Sequence, residues 1–185
     1  LTEDVTQARS IAKQLDSLNN ERRQIEEDMR RQAYRLLDNL QLDGDLPLGL
    51  CVFEETWHQG VLGILASRLK DKLNRPVIAF TAISETEIKG SARSIGNVHI
   101  RNVLNNISVQ SPGLITRFGG HAMAAGLSLT RKGYETFTQI FTTEVERHLA
   151  LEDLGGIIDT DGELPPEYFN ISTAELLRDA GPWGQ

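Results

Sequence analysis

The chain of 185 residues carries 26 Asp and Glu against 19 Lys and Arg, for a formal net charge of -7, and 39% of its residues are hydrophobic. This composition predicts a soluble domain with enough apolar residues for a core, and the overall acidity argues against a nucleic-acid partner. The sequence has no bilayer-length apolar run and no export signal, which argues against a membrane protein, and its one cysteine, Cys51, excludes an internal disulfide and favours a cytoplasmic setting.

The first predicted element is a long helix over about residues 2–40. Its apolar residues recur at helical spacings, and neither Pro nor Gly interrupts them. At about 1.5 Å per residue the helix would be roughly 50 Å long, with a bend expected at Asn19-Asn20. Since the apolar stripe is irregular and the polar face is charged, we interpret residues 1–46 as a connector helix rather than a coiled coil.

Strands and helices alternate over residues 47–150. Apolar and β-branched runs predict the strands, and helical apolar periodicity predicts the helices between them. The predicted strands cover 48–53, 76–81, 88–94, 114–118 and 126–130, and the predicted helices cover 61–73, 98–107, a short segment from 121, and 133–149. This order predicts an α/β fold, a mixed sheet flanked by helices, in which ligands bind where loops and helix N-termini meet strand ends.

The last part, residues 151–185, is predicted to be a linker and the start of a following domain. It would contain a strand over 157–161 and a helix over 172–179, capped by Ser172 or Thr173 with Glu175 in its first turn. The chain begins at Leu1 rather than at Met and ends directly after Gly-Pro-Trp-Gly, so we expect it to be a piece of a longer protein.

The segment from Gly119 to Gly126, Gly-Gly-His-Ala-Met-Ala-Ala-Gly, has the composition of a phosphate-binding turn. The paired Gly119 and Gly120 would let a ligand approach the backbone closely. A helix starting at His121 would direct unpaired N–H groups to the same place, and the imidazole would add a donor. The alternative is a helix-entry turn of small residues packed against a sheet.

The charge around this segment differs from that of the whole chain. From Ile88 to Tyr134 there is no Asp or Glu, and the positive charges there are Lys89, Arg93, Arg101, Arg117, Arg131 and Lys132. A polyanion-binding site requires such a region, although a solvated basic face without a ligand has the same pattern.

The segment Trp57-His58-Gln59-Gly60 lies at a predicted strand-to-helix junction. There His58 and the N–H groups around Gly60 would point to a ligand at the sheet edge. Trp57 could stack on a base or cover the end of the sheet, and His58 could instead be a structural residue that caps the helix.

The segment from Lys89 to Ser94 supplies hydroxyls and a guanidinium at alternating positions. On a strand, Ser91 and Arg93 would share one face. A planar guanidinium binds a phosphate bidentately, and a nearby hydroxyl adds a donor. Alternatively, this segment could be an ordinary edge strand that binds no ligand.

No catalytic or metal-binding centre is recognisable in the sequence. No two His residues have metal-ligand spacing on a helix, Cys51 alone forms no cluster, and the segment 159–162 lacks the other ligands of a calcium loop. There is no Ser-His-Asp signature and no nucleotide-binding glycine fingerprint. We therefore expect binding residues but neither catalytic nor metal-ligating residues.

Four motifs together carry a family resemblance. In order, they are Trp57-His58-Gln59-Gly60-Val61-x-Gly63-Ile64, Arg75-Pro76-Val77-Ile78, Lys89-Gly90-Ser91-x-Arg93-Ser94 and Phe118-Gly119-Gly120-His121-x-x-Ala124-Ala125-Gly126. They resemble the DHH-associated domain of the RecJ family, single-strand-specific DNA exonucleases of the DHH phosphoesterase superfamily. The opening helix is similar to the family's connector between two catalytic lobes, and residues 162–164 and 181–185 resemble the entry to its oligonucleotide-binding domain.

This resemblance implies a function and a set of site residues. The family cuts single-stranded DNA from its 5′ end with Mn²⁺ or Mg²⁺ ions held by a DHH lobe, which would lie upstream of Leu1. This chain would supply the substrate side, with Arg93 and His121 on the phosphates, and would not degrade DNA alone. The implied substrate-binding residues are His58, Gly60, Ser91, Arg93, Ser94, Gly119, Gly120, His121 and Gly126.

The resemblance also implies a cytoplasmic monomer that acts in DNA repair and recombination. Its partners would be single-stranded DNA and a single-strand-binding protein. Two alternatives remain. One is a superfamily member that acts on short oligoribonucleotides, cyclic dinucleotides or pyrophosphate, or that contacts RNA as in alanyl-tRNA synthetases. The other is a non-enzymatic interaction module led by the long helix.

Overall fold

The computed structural model describes residues 4–42, 46–96, 98–149 and 162–181. The chain divides into two compact units, residues 1–155 and 156–185. In the larger unit, helices surround one sheet. The described part of the smaller unit holds a 3-10 turn at Pro166–Tyr168 and one helix.

The observed elements follow the predicted alternation, with one exception described below. The helices are α1 (Val5–Leu42), α2 (Leu62–Leu73), α3 (Ile100–Gln110), α4 (Tyr134–Glu146) and α5 (Ile171–Asp179), and the strands are β1 (Leu50–Phe53), β2 (Val77–Ala82), β3 (Glu87–Arg93), β4 (Ile115–Gly120) and β5 (Ala124–Thr130). The strands lie in the order β1-β2-β3-β5-β4; β1 and β2 are parallel, and the other neighbours are antiparallel. The expected α/β fold, a mixed sheet flanked by helices, is confirmed.

Two buried clusters on opposite faces of the sheet form the core. Because side chains alternate along a strand, Ile78 and Phe80 of β2 join a cluster with α3 and α4, whereas Val77 and Ala79 join a cluster with α2 and α1. Each fully buried Ile, Leu or Phe side chain contributes about 1.5–3 kcal/mol. The two clusters therefore hold β1 and β2 between helices on both sides.

One face of the outer strands β3, β5 and β4 packs against α3 and α4, and on the other face α2 contacts β3 beside Ser91 and Arg93. Burial alternates along β3 and β5, and Ile88, Ala92, Leu127 and Leu129 join the cluster of α3 and α4. The opposite side of these three strands, here called the open face, carries polar residues and glycines. The first turn of α2 reaches it at Gly63.

Helix α1 is a single helix of 38 residues that continues through Asn19-Asn20. Its second half is packed on the domain, because Met29, Ala33 and Leu37 are buried in the cluster that contains α2. Apolar residues of its first half are exposed, as Leu15 is at 61%.

The Gly-Gly-His segment lies in a β-hairpin and not before a helix. Strand β4 ends at Gly120, β5 begins at Ala124, and the His121 N–H donates to the Ala124 carbonyl at 2.8 Å. The predicted helix from His121 is therefore wrong. Ala and Met favour helices locally, but β5 pairs with β3 along its whole length, and this tertiary pairing overrides the local preference.

Helix α5 begins one residue before the predicted start. Its N-cap is Asn170, whose Oδ1 accepts from the Thr173 N–H at 2.9 Å, and no acidic residue lies in its first turn. The predicted caps at Ser172 and Thr173 are thus inside the helix. Residues 43–45, the predicted strand at 157–161 and residues 182–185 lie outside the described residues.

Candidate functional site

Rows of residues cross the three strands of the open face. Neighbouring strands lie about 4.8 Å apart, and successive residues on one face of a strand lie about 7 Å apart. The rows are Arg93–Ala124 with His121 at the hairpin end, then Ser91–Gly126–Gly119, then Lys89–Ser128–Arg117. Small residues thus occupy the middle of the open face, and basic residues lie in the rows at its two ends.

The fold does not require glycine in the middle row. Gly119 and Gly126 are paired and exposed. A Cβ on Gly119 would meet no atom within 4 Å, and a Cβ on Gly126 would meet only the Gly90 carbonyl oxygen at 4.0 Å. Glycine inside a strand costs roughly 0.5–1 kcal/mol relative to alanine. The two glycines instead leave a flat floor of bare backbone that a ligand can approach.

Arg93 keeps one hydrogen-bonding edge unused. Its Nη1 donates to the Ser91 hydroxyl at 3.2 Å and to the Ala92 carbonyl at 2.8 Å, whereas no hydrogen bond among the described residues engages Nε or Nη2. These two groups lie on the same side of the guanidinium and can bind two oxygens of one phosphate.

The charge of Arg93 also lacks a described partner. No carboxylate of the described residues pairs with this half-buried guanidinium, and burial lowers its pKa. Taking a cation out of water without a counter-charge is unfavourable. The position therefore favours an anionic ligand.

The N-terminus of α2 adds positive potential beside Arg93. A Cβ on Gly63, in the first helical turn, would lie 2.6 Å from Arg93 Nη2 and 3.3 Å from Ser91 Oγ. No side chain caps this helix at Val61, so its first N–H groups keep the partial positive charge of the helix dipole. Arg93, Ser91 and the start of α2 converge on one position suited to an anion.

A groove of about 900 Å³ adjoins the glycine floor. Its lining includes Gly119 and Gly126 on the sheet and the loop Thr56–Gln59 on the opposite side. The buried Thr81 hydroxyl donates to the Trp57 carbonyl at 2.7 Å and holds this loop to the end of β2. The groove therefore has one wall of sheet and one wall of a fixed loop.

His58 is exposed on the loop wall of the groove. The Gly60 N–H donates to its Nδ1 at 3.2 Å, which leaves Nε2 as the ring nitrogen available to a ligand. Gly60 thus fixes the orientation of His58. The bond closes a turn ahead of α2 and does not cap the helix, whose N-cap is Val61.

Trp57 is a structural residue. The residue is 3% exposed, and its Nε1 donates to Gln32 Oε1 of α1 at 2.8 Å. Since the ring is buried between elements of the domain, it offers no face to a base.

The hairpin tip holds Gly120 and His121. Gly120 has φ of 148°, and a Cβ there would lie 2.4 Å from the Ala124 carbonyl oxygen, so only glycine fits. The exposed His121 ring makes no hydrogen bond with the described residues. Gly120 therefore shapes the hairpin, and His121 presents an unengaged ring at the Arg93 end of the open face.

Ser94 does not reach the open face. It is buried, its Oγ donates to the Val98 carbonyl at 2.6 Å, and its N–H donates to the Met123 carbonyl at 3.0 Å. These bonds hold the segment between β3 and α3 against the hairpin loop.

Sequence reasoning did not assign Lys89, Ser128 or Arg117 to the site. The alternation that puts Ser91 and Arg93 on one face extends to Lys89 and could have found it. Arg117 shares the face of Gly119, but the β-bulge at Thr116 puts it on the opposite face from Ile115, which the pattern of the predicted strand did not show.

The described residues contain no group of three or more His, Cys, Asp or Glu placed to hold a metal ion. The open face offers N–H donors and cations, whereas Mg²⁺ and Mn²⁺ prefer carboxylate and other oxygen ligands. The described site therefore does not fit such an ion. None of the described helices is long and apolar enough to cross a membrane.

Two curated proteins with similar sequences carry the same name. Over the full chain, the sequence is 47% identical to the single-stranded-DNA-specific exonuclease RecJ of Dickeya dadantii and 48% identical to that of Haemophilus influenzae, and it covers 32% of each. The chain thus spans about a third of the length of the curated relatives it matches.

Two solved structures have the same fold. RecJ from Thermus thermophilus in complex with Mg²⁺ matches with a TM-score of 0.65 and 28% identity, over 80% of this chain and 21% of that chain. Exonuclease RecJ bound to manganese matches with a TM-score of 0.59 and 26% identity, over 81% of this chain and 37% of that chain.

The DHHA1 domain family model covers most of the sheet-bearing unit, including every residue of the open face. It matches residues 47–147, more than half of the chain. The chain therefore belongs to the DHHA1 domain family.

Proposed function

We propose that this chain binds single-stranded DNA on its open face and forms the substrate side of an exonuclease within a longer protein. The observation that carries the proposal is the free Nε–Nη2 edge of Arg93, a half-buried cation with no described counter-charge beside an exposed glycine floor. The substrate class is supported by the names of the relatives, single-stranded-DNA-specific exonucleases.

The rows of the open face suit a strand whose phosphates are bound and whose sequence is not read. Guanidinium, ammonium and hydroxyl groups contact phosphate oxygens whatever the base. The glycine floor between them lets sugars or bases approach the sheet without meeting a Cβ. The substrate would therefore be held by its backbone.

Hydrolysis would require groups that the described residues do not supply. In this proposal a DHH lobe of the longer protein holds Mn²⁺ or Mg²⁺, and these ions supply the Lewis acid and the activated water. The residues of this chain hold the terminal phosphates and orient the strand. The chain alone is therefore expected not to degrade DNA when Mn²⁺ is added.

The cellular assignments rest on the family resemblance. We propose digestion from the 5′ end, a role in DNA repair and recombination in the cytoplasm, a monomeric protein, and a single-strand-binding protein as partner.

A binding experiment tests the substrate proposal. Fluorescence anisotropy of a labelled oligothymidylate, measured over a series of salt concentrations, is expected to show an affinity that falls with salt. Arg93→Gln should weaken binding about tenfold and lower the salt slope by about one. Gly126→Val should also abolish tight binding, while the melting temperature stays unchanged or rises because valine is favourable in a strand.

Lys132→Gln is the matched control, because Lys132 is an exposed cation that lines a different pocket, with Phe53 and Tyr134. It should leave the affinity within about twofold of the wild type, since it removes the same charge elsewhere. Salt-independent binding, or binding that neither site variant changes, would refute the proposal. Stronger competition by a cyclic dinucleotide or a short oligoribonucleotide would favour the alternative substrates.

A further inference from the structure

We propose that Lys89, Ser128 and Arg117 form a second phosphate subsite, two nucleotides away from the phosphate bound at Arg93. This inference rests on the proposed function, because it requires a single strand on the open face. It extends the site to three residues that the sequence analysis did not assign to substrate binding. Lys89 is part of one of the four motifs, whereas Ser128 and Arg117 are part of none.

Strand register brings these three residues together. Ser128 of β5 lies directly opposite Lys89 of β3 on one side and opposite Arg117 of β4 on the other. The row thus has a hydroxyl between two cations, the donor set that a phosphate accepts. All three residues line the groove that adjoins the glycine floor.

A β-bulge between Ile115 and Arg117 puts these two residues on opposite faces of the sheet. Ile115 opposes Leu129 and Phe118 opposes Leu127, so both face the helices, although they are three positions apart and regular alternation would put them on opposite faces. An extra residue, Thr116, makes this possible, and its hydroxyl donates to the Ser128 carbonyl at 2.9 Å. Arg117 alternates regularly with Gly119, and the bulge lets Ile115 face the apolar cluster while Arg117 faces the open side. Bulges re-aim side chains in this way at binding sites.

The distance between the two subsites fits a nucleic acid. Lys89 and Arg93 are four residues apart on β3, about 14 Å at roughly 3.4 Å per residue, which an extended single strand covers in about two nucleotides. Ser91, Gly126 and Gly119 lie between them. The intervening nucleotide would therefore cross the glycine floor.

The charges around the row are consistent with an anion. Lys89 and Arg117 are exposed, and no ion pair within the described residues engages either of them. Glu87 lies one row further on, opposite Thr130, and also lines the groove. Its carboxylate would repel the next phosphate, so the strand should leave the sheet before reaching it.

Short oligonucleotides distinguish this subsite from nonspecific electrostatic attraction between the basic residues and DNA. The full 185-residue chain, labelled with ¹⁵N, is titrated by NMR with 5′-phosphorylated dT2 and dT3, which carry two and three phosphates. We expect dT3 to bind about tenfold more tightly than dT2, because only dT3 reaches both subsites. The Lys89→Gln/Arg117→Gln double variant should bind dT2 as the wild type does and lose the gain with dT3.

The controls separate this inference from the proposed function. Lys132→Gln should keep the tenfold ratio between the affinities for dT3 and dT2. In the wild-type protein, the amide NMR signals of Thr116 and Ser128 should shift with dT3 but not with dT2. An equal loss of dT2 and dT3 affinity in the double variant, or an unchanged ratio, overturns the second subsite while single-strand binding stands. If neither oligonucleotide binds, both the proposed function and this subsite fail.

Discussion

Arg93 owes its position to two neighbours with small side chains. Ser91 accepts a hydrogen bond from Nη1 at 3.2 Å, and Gly63 of α2 leaves the space that Nη2 occupies. The alternation of polar residues along the predicted strand was enough to place Ser91 and Arg93 on one face. The role of Gly63 could not be predicted in the same way, because its contact with Arg93 depends on how α2 is packed on β3.

Gly63→Ala is expected to weaken single-strand binding severalfold without lowering stability. The new Cβ would lie 2.6 Å from Arg93 Nη2, so the guanidinium must move, while alanine in a helix stabilises by about 0.5–1 kcal/mol relative to glycine. The two measurements are the anisotropy titration and the free energy of unfolding in urea.

Gly96→Ala is the control for this variant, because a Cβ on Gly96 would meet no atom within 4 Å. It should leave the affinity unchanged. If Gly63→Ala binds as tightly as the wild type, the position of Arg93 is not what the site depends on.

At the level of elements, the hairpin shows why a local pattern can mislead. The Ala and Met residues at 122–125 favour a helix, yet Gly120 adopts a φ of 148° that starts a reversal of the chain, and β3 offers an unpaired edge to β5. The wrong helix and the correct strand β3 were both predicted from local sequence patterns. Such a pattern indicates which side chains are buried on one face, but it does not show which neighbouring strand supplies the backbone hydrogen bonds.

Helices α3 and α4 are joined through one buried carboxylate. Glu144 of α4 accepts from Asn106 Nδ2 at 2.7 Å and from Arg147 Nη1 at 2.6 Å. Burial acts to raise the pKa of Glu144, but the hydrogen bonds from Asn106 and Gln110 and the charges of Arg147 and His148 outweigh it, so the pKa lies below its usual value of 4.5. The deprotonated carboxylate is therefore the form that the fold stabilises.

The lowered pKa of Glu144 predicts a contribution to the stability of the fold that is lost in acid. A carboxyl whose pKa is lower in the folded state stabilises the fold above about pH 4.5 and loses this effect as the pH falls through its folded pKa. Glu144→Gln should cost about 1–2 kcal/mol at neutral pH and flatten the loss of stability below pH 4.5. Urea unfolding at a series of pH values measures both effects.

Glu146→Gln on the same helix is the control for Glu144, because its side chain is exposed. It should change neither the stability at neutral pH nor its acid dependence. Equal acid profiles for the wild type and Glu144→Gln would contradict the proposed link between α3 and α4.

For the whole molecule, the main long-range feature is helix α1, which is about 57 Å long at 1.5 Å per residue and is attached to the domain by its second half. The sequence pattern predicted the helix itself. It did not show that its second half would be packed against α2, because the partners of Met29, Ala33 and Leu37 lie far along the chain. Trp57 is the clearest case: the residue considered for base stacking instead joins α1 to the loop that forms the groove wall.

A double-mutant cycle between Gln32 and Trp57 tests this connection. Trp57→Phe keeps most of the ring but removes Nε1, and Gln32→Ala removes the acceptor 2.8 Å away. Because the two side chains share one hydrogen bond, their effects on the free energy of unfolding should be non-additive by about 0.5–1.5 kcal/mol. Gln24, an exposed glutamine of the same helix, supplies the matched control, and Gln24→Ala with Trp57→Phe should be additive. A cycle that closes near zero for Gln32 as well would mean that this hydrogen bond does not hold α1 to the groove wall, and that other contacts between α1 and the domain fix the helix.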